Sequence, residues 1–71
     1  MTKKQEEALE ALKSDNRIFV DADDIAPVLE SNPQDIRDTA QVDVHQLGYP
    51  ATLVKSRLKI PRKRFLAWLG E

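Results

Sequence analysis

The chain contains no cysteine. That excludes disulfide staples, thiolate zinc sites, iron–sulfur clusters and a cysteine nucleophile together. It has one histidine, His45, so any metal centre would have to be built almost wholly from carboxylates. No glycine-rich phosphate loop, Ser–His pairing or zinc-ligand spacing occurs. No apolar run approaches the roughly 20 residues that a membrane span needs. The opening Met-Thr-Lys-Lys-Gln-Glu-Glu is not followed by an apolar stretch, so it does not read as a secretory signal. Folding therefore rests on apolar packing, with no cofactor and no membrane partner expected. A reducing cytoplasm suits such a chain.

What is present is ordinary for a globular domain: 41% hydrophobic and 32% charged residues in a chain of 71. At 8.1 kDa there is room for one core, so residues 1–71 are expected to form a single domain. The net charge of −1 conceals an asymmetry. Residues 1–20 are balanced, with four charges of each sign. Residues 21–54 carry Arg37 against seven acids, a net −6, whereas residues 55–71 carry six cations against Glu71, a net +5. The basic end can attract phosphate or an acidic protein face. The sequence pI near 5.8 is lower than the basic footprint of most DNA-binding domains.

The order of elements is legible from local chemistry. Thr2 with Gln5 three residues later forms a capping box, and Ala8, Leu9 and Leu12 make an apolar stripe, so residues 2–15 read as a helix ending near Ser14-Asp15-Asn16. Arg17-Ile18-Phe19-Val20 reads as a short strand or an extended entry segment. Asp21 and Asp24 box a second helix whose core face is Ile25, Val28 and Leu29. Pro27 is expected in its first turn, which distorts the start. Asn32 as cap, Pro33 as first residue and Asp35 as box partner start a third helix over 33–41, with Ile36 and Ala40 inward. The tight link between these two helices makes a helix-turn-helix pattern. Residues 42–51 read as irregular. Thr52–Lys55 and Arg57–Ile60 read as two strands around Ser56, the second alternating with Leu58 and Ile60 on one face and Arg57 and Lys59 on the other. Pro61 opens a last helix with Phe65, Leu66, Trp68 and Leu69 apolar, closed by Gly70. The expected fold is mainly α with a small β-hairpin: helix, short strand, helix-turn-helix, wing hairpin, C-terminal helix.

Four segments carry a family resemblance. They are Asp-Asp-Ile-Ala-Pro-Val-Leu (23–29), Asn-Pro-Gln-Asp-Ile-Arg (32–37), Leu-Gly-Tyr-Pro (47–50) and Ser-Arg-Leu-Lys-Ile-Pro-Arg-Lys-Arg-Phe-Leu (56–66). From Phe19 to Leu69 the chain resembles the MerR-like, excisionase-like group of winged-helix DNA-binding proteins of phages and mobile elements. The N-terminal helix, residues 1–16, lies outside the resemblance. The resemblance implies a small DNA-binding protein acting as an architectural excisionase-like factor or a regulator in a bacterial cytoplasm. The family commonly has glycine at the wing tip, where this chain has Ser56.

Two groups of residues could carry such a function. Lys55, Arg57, Lys59, Arg62, Lys63 and Arg64, on the wing and the turn after it, place six cations within ten residues with no acid among them. They can hold the phosphates flanking a groove, or they form a solvated rim. Gln34, Arg37 and Gln41, on the third helix, are the candidate base readers, because arginine forks onto guanine and glutamine onto adenine. Alternatively they are a polar helix face, with Arg37 paired to an aspartate of its own helix. Asp38 among them repels phosphate, although a carboxylate can accept from cytosine. His45 reads as a loop cap, Asp23 and Asp24 as helix-start acids, and Trp68 and Phe65 as core, although aromatics can also stack unpaired bases. Tyr49 reads as the anchor of its loop.

The functional expectation is non-enzymatic binding of double-stranded DNA. One such module binds weakly, so a homodimer partner, a repeated site or a larger protein such as a recombinase is expected alongside it. The alternative is a protein–protein interaction module, in which the basic wing meets an acidic partner and the acidic helices keep nucleic acid away.

Overall fold

The computed structural model describes residues 2–71. Thr2 caps α1 (Lys3–Ser14) with the expected reciprocal box: the Gln5 N–H donates to Thr2 Oγ1 at 3.2 Å and the Thr2 N–H to Gln5 Oε1 at 2.9 Å. The same Gln5 side chain donates through Nε2 to the Val28 carbonyl at 2.9 Å. That bond ties the start of α1 to the end of α2 (Ala22–Leu29). Leu9 and Leu12 of α1 are buried in the common core. This helix is therefore part of the domain and not an appendage to it.

Asp21 caps α2, accepting from the N–H groups of Asp23 and Asp24, and Asp24 returns the bond to the Asp21 N–H. Pro27 is not in the first turn as the sequence suggested. It is the sixth residue of α2, so its missing N–H leaves the Asp23 carbonyl without an i+4 donor. The helix ends in a Schellman motif: the Ser31 N–H donates to the Ala26 carbonyl at 3.0 Å and the Glu30 N–H to that of Pro27 at 3.4 Å. Glu30 is forced into the left-handed region (φ 55°) to make it. The same motif closes α4 (Arg62–Leu69), there with Gly70 at φ 90°. A left-handed backbone costs a residue with a Cβ about 1–2 kcal/mol. Glu30→Gly is expected to raise stability by about 1 kcal/mol, a rise in Tm of roughly 5 °C for a domain this small, read by thermal melting.

After the short link, Asn32 caps α3 (Pro33–Asp43) and buries Ile36 and Ala40. The helix runs two residues past the expected end. A 3-10 turn (Val44–Leu47) follows, the His45 N–H capped by the Asp43 side chain and its end turned by Gly48 at φ 81°. The stretch read as irregular is thus regular over its first half.

The strands β1 (Phe19–Val20), β2 (Thr52–Val54) and β3 (Arg57–Pro61) form an antiparallel sheet in the order β1-β3-β2. The hairpin is therefore the larger part of a three-stranded sheet. Thr52 pairs with Lys59, Leu53 with Leu58 and Val54 with Arg57, while Phe19 and Val20 pair with Pro61 and Ile60. Lys55 lies in the turn and not in β2: Lys55 and Ser56 form a two-residue loop with φ of 50° and 67°. Both central residues at positive φ match the right-handed twist of a tight hairpin, although asparagine and glycine adopt that shape more readily. Val20, Leu58 and Ile60 face the core, which is closed by Ile25, Ala26 and Val28 of α2 and by Phe65 of α4. The molecule is mainly helical, with this small sheet along one side.

Candidate functional site

The alternation along β3 turns Leu58 and Ile60 inward and leaves Arg57 exposed and Lys59 half-buried. β1 pairs only with Ile60 and Pro61, after which the chain turns away into α2. Residues 57–59 therefore have β2 on one side and an open groove on the other. That groove, about 260 Å³, is lined by Asp21 and Ala22 before and at the start of α2, Arg37 and Gln41 of α3, and Ser56 to Lys59 of the hairpin. Arg37 and Gln41 stand one helical turn apart, so both reach it. Gln41 Nε2 donates to the Ser56 carbonyl at 3.0 Å, linking α3 directly to the tip of the hairpin. The tip of the basic hairpin and the Arg37 and Gln41 positions of α3 thus share one side of the molecule.

The candidate residues divide by what already holds them. Arg37 Nη2 donates to Asp23 Oδ2 at 2.6 Å. The partner is an acid of α2 and not of its own helix. Gln34 lies outside the groove, its Nε2 donating to Asp38 Oδ1 one turn on at 2.9 Å. Arg62, unlike the other five cations after Val54, is engaged by backbone carbonyls. Its Nε donates to the Arg17 carbonyl at 2.9 Å and its Nη1 to the carbonyls of Leu12 and Lys13 at 3.3 and 3.5 Å. It neutralises the C-terminal end of the α1 dipole and fastens α1 to the sheet. By contrast Lys55, Arg57, Lys59, Lys63 and Arg64 make no ion pair and donate no side-chain hydrogen bond among the described residues. Lys63 and Arg64 are exposed at the start of α4, in a second depression shared with Asn16, Arg17, Ile18, Pro61 and Arg62.

α4 begins on Pro61 with no side-chain cap, and its first turn holds three cations and no acid. The helix dipole disfavours positive charge there. The other three α-helices each start with a side-chain cap and carry acid in the first turn.

Away from the groove, Arg17 binds Asp15 through Nε and Nη2 and Asp24 through Nη2, at 2.6–3.0 Å. Hydrogen bonds from the Arg17 side chain and backbone hold the Asp15 carboxyl down at about 2. Burial acts upward on Asp24, but its hydrogen bonds from Arg17 and from the Asp21 N–H outweigh it and leave that carboxyl low as well. Both acids titrate lower folded than unfolded, so their contribution is present above pH about 4 and is lost as pH falls through their folded pKa values, which for Asp15 is about 2. The Tm is expected to drop across that window, and Arg17→Met is expected to lower the neutral-pH Tm and flatten the drop. A melting series from pH 6 to pH 2 reads both.

The remaining sequence candidates are structural. Phe65 is fully buried, and Tyr49 meets it edge-on at 5.3 Å between ring centroids. Trp68 stacks on Phe65 at 5.9 Å and touches Tyr49, yet 49% of it is exposed. It is therefore a rim residue and not core. The Tyr49 hydroxyl is buried without a hydrogen-bond partner among the described residues, and burial pushes its pKa up. His45 is exposed, its N–H and ring both against Asp43. Among the described residues no cluster of three or more metal-ligating side chains occurs and no helix is long and apolar enough to cross a membrane.

Asp23, Arg62 and Gln5 were singled out in the sequence for other roles; their bonds across the fold escaped it because the partners lie 14, 50 and 23 residues away, beyond any local spacing rule. No family model matches the chain, and neither a curated protein nor a solved structure matches it.

Proposed function

We propose that this chain binds double-stranded DNA as a winged helix-turn-helix module. In this reading α2 and α3 are the helix-turn-helix, α3 approaches the major groove, and the β2–β3 hairpin is the wing on the adjacent backbone. The observation that carries it is the set of free cations: Lys55, Arg57 and Lys59 on a hairpin whose tip is bonded to α3 by Gln41, and Lys63 and Arg64 in the first turn of the helix that follows it. Phosphate contacts of this kind position a protein on the duplex. The first turn of α4 points the same way. Cations retained against a helix dipole lower local stability, and such departures from local preference concentrate at functional surfaces. The resemblance of residues 19–69 to the excisionase-like family extends the proposal to an architectural or regulatory, non-enzymatic role in a bacterial cytoplasm. A second copy or a recombinase then supplies the affinity that one module lacks.

Fluorescence anisotropy with a labelled random-sequence duplex tests it. If all five cations meet phosphates, log affinity falls against log salt with a slope of about −4 to −5, a loss of several hundred-fold between about 50 and 200 mM. No binding at the lower salt would sink the proposal.

A second reading has its own support. Asp35 and Asp38 are exposed on α3 with no cation paired to them among the described residues, and seven acids lie between residues 21 and 54. In that reading the basic hairpin meets an acidic protein, and the wild-type chain ignores duplex at every salt concentration.

A further inference from the structure

Arg37 and the five free cations do not face the same kind of ligand. Arg37 is half-buried in the groove wall, and one of its terminal nitrogens is held at 2.6 Å by Asp23. Asp21 lines the same groove. A phosphate drawn to Arg37 would arrive within a few ångströms of a carboxylate, and the repulsion would offset most of the attraction. A neutral acceptor meets no such opposition. The edge of a guanine, with O6 and N7, is a neutral acceptor pair matched to the guanidinium fork. Asp23 binds only Nη2, so among the described residues Nε and Nη1 remain free to donate. The pair is exposed, with 63% of the Asp23 side chain accessible, so its bond biases the Arg37 rotamer before the ligand arrives and lowers the ordering cost of binding in proportion.

From this we infer that Asp23 is a specificity-determining positioning residue: it orients Arg37 for base edges and turns it away from the phosphate backbone. The inference rests on the DNA-binding reading. It divides the labour within the surface. Lys55, Arg57, Lys59, Lys63 and Arg64 supply sequence-independent attraction, and the Asp23–Arg37 pair, carried on two different helices, supplies discrimination. Gln41 is positioned in a parallel way, since its Nε2 is engaged with the Ser56 carbonyl and its Oε1 is left to accept.

The experiment selects preferred sites from a duplex pool with a randomised core, using the wild-type protein, then measures affinity for the best enriched duplex and for a scrambled one. Asp23→Asn keeps the shape of the side chain and removes its charge. It is expected to raise affinity for the scrambled duplex severalfold and to cut the preferred-to-scrambled ratio by roughly tenfold. Arg37→Lys, which keeps the charge and loses the fork, is expected to cut the ratio similarly, and the double variant no further than Arg37→Lys alone. Melting of each variant checks that the fold is retained. If Asp23→Asn strengthens both duplexes equally, Asp23 is only a repulsive charge and the inference is wrong. An unchanged ratio, or a wild type that binds duplexes without preference, overturns it too while leaving the DNA-binding proposal standing. A wild type that binds no duplex removes that proposal as well.

Discussion

Arg57→Glu combined with Lys59→Glu is expected to weaken duplex binding about hundredfold or more near 100 mM salt and to reduce the salt slope by at least about 2. Two phosphate contacts are lost, and two carboxylates are set against the backbone in their place. The fold should survive, because neither side chain holds anything. Arg57 is exposed, Lys59 is half-buried, and neither has an ion pair or donates a side-chain hydrogen bond among the described residues. Their cross-strand neighbours Val54 and Thr52 carry no charge that glutamate would oppose. Circular dichroism should be unchanged. A variant that binds duplex as tightly as the wild type would show that the hairpin is not the docking surface. The matching control is Arg62→Gln: it should lower the melting temperature by releasing the end of α1, with a smaller effect on binding than its charge alone suggests, because the guanidinium is already engaged by three carbonyls.

Phe65→Ala is expected to cost about 3–5 kcal/mol, against a total stability of roughly 4–10 kcal/mol for a chain of this length. Phe65 is fully buried where α4, the sheet and the Tyr49 loop meet. Removing its ring leaves a cavity that Tyr49 and Trp68 can fill only by leaving their own contacts. Much of the population should be unfolded at 37 °C. Trp68→Ala should cost only about 1 kcal/mol, because half of the indole already faces water and the remainder is an aromatic contact at the rim. Leu58→Ala falls between, at about 2–3 kcal/mol, since Leu58 is buried but lies at the edge of the core. Urea unfolding of the three variants gives the order. A Trp68→Ala loss as large as that of Phe65→Ala would mean that α4 is rotated from the position described.

The contrast between Phe65 and Trp68 shows how far the sequence can be read. Both are apolar residues at helical spacing in α4, and periodicity gives no reason to rank them. Which of them points at Ile25 and Ile60, and which lies at the surface, depends on how α4 is docked. Pro61 and the bond from the Arg62 N–H to the Ile18 carbonyl at 3.0 Å set that docking. Pro27 is a similar case. Its cost argues locally for a place near the helix start, yet the strong Asp21 box begins α2 at Ala22 and leaves the proline in the second turn.

By itself the sequence determined what is set within a few residues. The starts of α1, α2 and α3 follow from Thr2, Asp21 and Asn32, whose side chains bond N–H groups two or three positions on. The alternation of β3 and the concentration of cations after Val54 are equally local. Tertiary structure alone decided which cations remain available and which are held. Arg62 and Arg64 are two residues apart and indistinguishable in charge, but one binds α1 and the other faces solvent. Arg37 is neutralised by an aspartate on another helix, and β1 finds its partner some 40 residues later. Long side chains bond to whatever surface folding brings within their reach, and that surface is specified by the packing of Leu9, Ile25, Ile60 and Phe65 together, not by any stretch of chain alone.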